Sequence, residues 1–128
     1  MISVRCFLGA VVLTTAAAIQ PAGAGSVDNV PTLSGAQLVS TNPKGAGTHW
    51  YYQSSNSAAQ VANGYKGQLQ SAGWNIVNIG SGGSSWGGNS GLTARKGAAY
   101  LVLQAGGPSG QTYINVCAWP SQPDNDNC

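Results

Sequence analysis

Acidic side chains are nearly absent from this chain. It contains three aspartates and no glutamate, and charged residues of both signs make up 6% of it. Glycoside hydrolysis by a carboxylate pair needs two positioned acids flanking the bond. Here Asp28 stands near the start of the expected mature chain, and Asp124 and Asp126 stand in a polar C-terminal stretch. Histidine is equally scarce, with His49 alone, and no G-x-S-x-G elbow accompanies it. The single histidine therefore reads as a half-exposed strand residue and not as a general base. Basic residues are few and scattered, at Lys44, Lys66, Arg95 and Lys96 beyond the N-terminal region. Without a basic stripe, nucleic acid is excluded as the expected partner. No G-K-[ST] follows the glycine-rich stretch, which excludes a phosphate-cradling loop. Asp124 to Asn127 read DNDN and lack the glycine and distal glutamate of a calcium loop. No catalytic residue, cofactor or metal is expected from these motifs. Long apolar runs are also missing: residues 6–19 form the longest, short of the roughly 20 that a spanning helix needs.

That short run has its own meaning. Arg5 precedes it, Gln20 and Pro21 break it, and Ala22-Gly23-Ala24 provides an A-x-A cleavage signal. This order predicts a signal peptide over residues 1–24, an exported (periplasmic or secreted) mature chain from Gly25, and no membrane span after cleavage. Four cations against three carboxylates leave that mature chain at net +1. Cleavage removes Cys6 and leaves Cys117 and Cys128, an even pair in an oxidising compartment, for which a disulfide is expected.

Residues 25–47 carry Gly, Ser, Pro and Asn with little periodicity and read as a flexible leader, in which Leu38 and Val39 form a short strand or lie against the domain. Residues 48–128 read as one domain. A first strand is expected over 48–53, where β-formers cluster. Ser55 or Ser57 then offers an N-cap. Ala58, Val61, Ala62, Tyr65, Leu69 and Ala72 recur at spacings of three and four, on one face of a helix that Gly73 ends. Further strands are expected over 74–79, 92–95, 99–105 and 112–118, with a Gly/Ser loop over 80–91 and a hairpin loop over 106–110. The reading is an α+β domain: one amphipathic helix packed on a mainly antiparallel sheet of four to five strands, in the order β-α-β-β-β. Alternation turns Leu101, Leu103, Ile114, Val116 and Ala118 toward the helix, and Tyr100, Val102, Gln104, Tyr113, Asn115 and Cys117 away from it. A Cys117–Cys128 bridge then folds the tail over the face opposite the helix.

The stretch AAQVANGYKGQLQSAGWNI carries the spacing Y-x3-L-x3-G-W through Tyr65, Leu69, Gly73 and Trp74. It resembles a helix-to-strand unit of small exported bacterial proteins and lipoproteins. The resemblance implies a folding unit and no chemistry: Tyr65 and Leu69 seat the helix, Gly73 ends it and Trp74 opens the strand. The order strand, helix, three strands is also similar to that of cystatins. Their inhibitory Q-x-V-x-G loop is absent here, so no functional residue carries over.

What remains is a set of aromatic rings among neutral amides. Tyr51, Tyr100 and Tyr113 on the sheet, Trp86 in the Gly/Ser loop and Trp119 near the end form the expected binding surface. Stacking and amide hydrogen bonds need no charge, so the expected partners are a carbohydrate, an extended peptide or another envelope protein. The expected function is a small non-enzymatic binding domain. An inhibitor of a secreted hydrolase and a small hydrolase with an unrecognised site are the alternatives.

Overall fold

The computed structural model describes residue 27, residues 29–84 and residues 87–128, the side chains of 81–84 and 87 excepted. The expected signal peptide and its cleavage site, Asp28 and Trp86 lie outside the described residues. Among the described residues there are six strands and one helix: β1 (Gln37–Lys44), β2 (Gly47–Ser54), α1 (Ala58–Ser71), β3 (Asn75–Ser84), β4 (Gly87–Lys96), β5 (Ala99–Pro108) and β6 (Thr112–Trp119). The strands form one sheet in the order β1-β2-β6-β5-β4-β3, with every neighbouring pair antiparallel. No helix among the described residues is long and apolar enough to cross a membrane.

The α+β class holds, with two differences of detail. The first is β1. The stretch read as a flexible leader contributes an edge strand, and the residues before it are clasped onto the helix side of the sheet. Trp74 Nε1 donates to the Asn29 carbonyl at 2.8 Å, and Tyr65 Oη donates to the Pro31 carbonyl at 2.8 Å. Gln68 bonds the backbone twice, donating to Thr32 O at 2.7 Å and accepting from Ser34 N at 2.9 Å. Leu33 enters the core at 3% exposure. Polar backbone in this segment is satisfied by core side chains, which is why it needs no periodicity of its own. The second difference is the Gly/Ser stretch. Instead of a loop, it extends β3 and β4 into a long hairpin whose backbone pairs from Asn75↔Arg95 to Ser84↔Gly87.

Helix α1 follows its sequence closely. Ser57 is the N-cap, and a capping box forms with Gln60: Gln60 N donates to Ser57 Oγ at 3.1 Å, and Ser57 N donates to Gln60 Oε1 at 3.0 Å. Two otherwise orphaned donors are thereby paired. At the other end Gly73 adopts φ +93°, a conformation that costs glycine little. Trp74 N then reaches Leu69 O at 2.9 Å and Gly73 N reaches Gln70 O at 3.1 Å, a Schellman closure. Lys96 Nζ donates to the Ala72 carbonyl at 2.8 Å, placing a cation at the helix C-terminus where the dipole favours it. Ala58, Val61, Ala62, Tyr65 and Leu69 are buried. They join Leu92, Ala94, Leu101, Leu103, Ile114, Val116 and Ala118 from the sheet in the main core.

Both edge strands break register, β1 between Leu38 and Ser40 and β3 between Ile76 and Asn78. Such bulges twist an edge away from pairing with another chain. Leu38, Val39 and Val77, each about half exposed, stand beside them.

Candidate functional site

The sheet face opposite the helix divides into a covered half and an open half. In the covered half, Tyr100, Val102, Cys117 and Trp119 form a second small core, with Cys128 packed against it. The Cys117–Cys128 disulfide draws the tail over this area, as the alternation of β6 predicts. Two polar contacts reinforce it. Tyr100 Oη donates to Asp126 Oδ2 at 2.8 Å, and the Arg95 guanidinium donates to Gln122 Oε1 while lying 5.0 Å from the centre of the Tyr100 ring. The Tyr100 phenol is pushed above its ordinary pKa, first by the hydrogen bond it donates to Asp126 and then by burial. Trp119 Nε1 donates to the Lys44 carbonyl at 3.1 Å, so the indole is satisfied without solvent.

This corrects two of the expected surface residues. Tyr100 is 6% exposed and Trp119 is 3% exposed. They pair with each other, ring centres 6.2 Å apart, beneath the tail. Both rings belong to the face the sequence assigns them, but the tail lies on them, so they serve packing and not presentation. The tail is also more than a solvated run, because Asp126 ties it down.

In the open half, Tyr51 of β2 and Tyr113 of β6 stand parallel to within 9°, with ring centres 6.4 Å apart. The register explains the pairing: Tyr51 lies opposite Asn115 and Gln53 opposite Tyr113, so the two tyrosines are diagonal neighbours on one face. Tyr113 is 40% exposed. Gly107 packs beside it, where a Cβ would run first into the Gln111 carbonyl. Its φ of +149° suits glycine, and a Cβ there would lie 3.2 Å from Tyr113 Cδ2. A shallow hollow of about 470 Å³ runs from Tyr113 across Asn115 and Gln104 to Asn89 and Gly91. A second, of about 300 Å³, continues past Gln104 to Thr93, Asn78 and Asp126. The first is lined by the amides Asn89, Gln104 and Asn115; the second mixes Asn78 and Gln104 with aliphatic side chains and Asp126.

His49 lies at the seam between the halves. It pairs with Cys117 across the β2–β6 ladder, and its Nε2 lies 2.8 Å from Asn115 Oδ1. Since Oδ1 only accepts, Nε2 carries the proton. The ring is thus oriented by an amide and not by the carboxylate that a serine hydrolase places there. Among the described residues one group of three potential metal ligands comes together, His49, Cys117 and Cys128, with donor atoms all within 4.8 Å of one another. Sequence reasoning gives no role to His49, because its proximity to Cys117 depends on a register between strands more than 60 residues apart.

On the helix side, a small cavity of about 150 Å³ opens between Ala59, Ala62 and Asn63 of α1 and Ile79, Gly80 and Ser90 of the β3–β4 hairpin. The Ser90 hydroxyl is buried there without a hydrogen-bond partner among the described residues.

No family model and no curated protein matches the chain.

Proposed function

We infer that the protein is a small exported, non-enzymatic binding domain whose open outer sheet face takes a neutral carbohydrate. The observation that carries this reading is Tyr113, which lines a hollow shared with Asn89, Gln104 and Asn115 and stacks on Tyr51 beside it. Sugar rings present C–H faces that pack on aromatics and hydroxyls that exchange bonds with amides. Gln104 and Asn115 offer both donor and acceptor atoms, and no ionic partner is needed from so weakly charged a surface. Export fits a sheet stapled by a disulfide, a bond that persists in oxidising compartments.

The test is a glycan array probed with the folded domain, followed by calorimetry on the best binder with Tyr113→Ala. An anchor aromatic carries about 2 kcal/mol or more of an interface, so affinity should fall at least about tenfold. The thermal midpoint should hold, because Tyr113 is exposed. An array without a neutral binder, or binding that survives Tyr113→Ala, contradicts the reading.

A further inference from the structure

We propose that His49, Cys117 and Cys128 form a three-ligand copper(I) site that exists only when the disulfide is reduced. The geometry comes from the fold. Strand register sets His49 opposite Cys117, the bridge brings Cys128 to the same point, and all three donor atoms lie within 4.8 Å of one another. Asn115 Oδ1 accepts the Nε2 proton at 2.8 Å, which leaves the Nδ1 lone pair free. A bond from the far ring nitrogen to a neighbouring acceptor is the usual support for a metal-binding histidine. Cys117 is fully buried, whereas His49 and Cys128 are half-buried, so an ion reaches the site from the tail side.

The donor set selects the metal. Two thiolates and an imidazole are soft enough for copper(I). Zinc on the same three residues would need a fourth ligand such as water to complete its tetrahedron, whereas three soft donors suffice for copper(I). While the sulfurs are bonded to each other they have no thiolate charge to offer. A dithiol reductant, such as a thioredoxin-like protein, supplies two electrons and two protons. The Cys117–Cys128 bond breaks, two thiols form, and the reductant leaves as a disulfide. Copper(I) then displaces both thiol protons to solvent without changing its own oxidation state. A disulfide oxidant then takes two electrons from the thiolates and two protons from solvent and leaves as a dithiol, which re-forms the Cys117–Cys128 bond and releases the ion. When the bridge opens in water the tail stays tethered just before Cys128, through Tyr100–Asp126 and Arg95–Gln122.

The test uses copper(I) alone as the probe. The protein is reduced with a phosphine under argon, freed of reductant, and titrated with copper(I) against a chromophoric chelator. One equivalent should bind, with X-ray absorption showing two sulfurs and one nitrogen, and far-ultraviolet circular dichroism unchanged. His49→Ala should weaken binding at least about tenfold, and Asn115→Ala by about 10- to 100-fold through loss of the supporting bond. Cys128→Ser, in the tail and away from the main core, should abolish tight binding while the sheet survives. Equal affinity in the oxidised protein or in Cys128→Ser overturns the proposal. So does indifference to His49→Ala, tighter binding of zinc than of copper, or collapse of the sheet on reduction.

Discussion

Opening the Cys117–Cys128 bridge should cost the domain a bounded, measurable amount of stability. The two cysteines are 11 residues apart. Closing a loop of that length removes unfolded-chain entropy worth about 2.8 kcal/mol at 25 °C in the chain-entropy account. That figure is a ceiling here, because the loop is short and C-terminal. In urea part of the tail can detach before the sheet unfolds, once the Tyr100–Asp126 and Arg95–Gln122 contacts give way, and Tyr100 and Trp119 then lose their cover. The suitable variant is Cys128→Ser, since Cys117 is fully buried and changing it would disturb the second core directly. Urea melts of wild type and variant, followed by tryptophan fluorescence and by far-ultraviolet circular dichroism, separate the two effects. The expected result is a loss of between about 1 and 2.8 kcal/mol in the circular dichroism transition, with the slope preserved. Fluorescence should show easier quenching before the main transition, as Trp119 becomes accessible. An unchanged midpoint would refute the view that the bridge stabilises the fold. Loss of the sheet in water would refute the view that the main core stands without it.

Three further outcomes follow from other parts of the fold. Leu33→Ala should cost about 2–5 kcal/mol in chemical denaturation, as buried leucines do, whereas Lys66→Ala should stay within about 0.5 kcal/mol; a neutral Leu33→Ala would return residues 29–35 to the status of a loose leader. Tyr52, Tyr65 and Tyr100 all have pKa values raised in the folded state, the first two chiefly by burial and Tyr100 chiefly by its bond to Asp126. A raised folded pKa gives stability that is present below the unfolded value and lost as pH climbs toward the folded one, so melting temperatures should hold to about pH 10 and fall above it; a flat profile to pH 12, with phenolate absorbance developing normally, would contradict the burial of these rings. Ser90→Ala removes a buried hydroxyl without a partner among the described residues and should leave thermal stability unchanged or raise it by about 1 kcal/mol, so a clear loss in calorimetry would show that the hydroxyl is bonded after all.

Much of this architecture can be read in the residues, and the parts that cannot share a cause. Helix α1 announces itself through spacing, a capping serine and a closing glycine, all local signals. Strands β5 and β6 alternate cleanly because one of their faces meets the helix, so inside and outside are both legible. Strand β1 is different. Its residues are nearly all exposed, it carries Pro43, and it is held by backbone pairing to β2 and not by burial. An edge strand of that kind leaves no hydrophobic pattern. The glycine-rich half of the β3–β4 hairpin is illegible for a related reason: β-propensity measures packing of side chains, and glycine brings none. The candidate site mixes both cases. Tyr51 and Tyr113 are assignable to the outer face by alternation. The stacking of one on the other depends on long-range register, as does the approach of His49 to Cys117. The covering of Tyr100 and Trp119 depends on the path of the tail, which no periodicity encodes.

The binding face itself is most directly tested by side-chain amide and tyrosine ring resonances of the isotope-labelled domain, recorded while a panel of neutral oligosaccharides is titrated in. The account requires saturable shifts at Gln53, Asn89, Gln104 and Asn115 and at the rings of Tyr51 and Tyr113, with Tyr100 and Trp119 unmoved beneath the tail. Shifts confined to the helix side or the strand edges, or none across the panel, would contradict it.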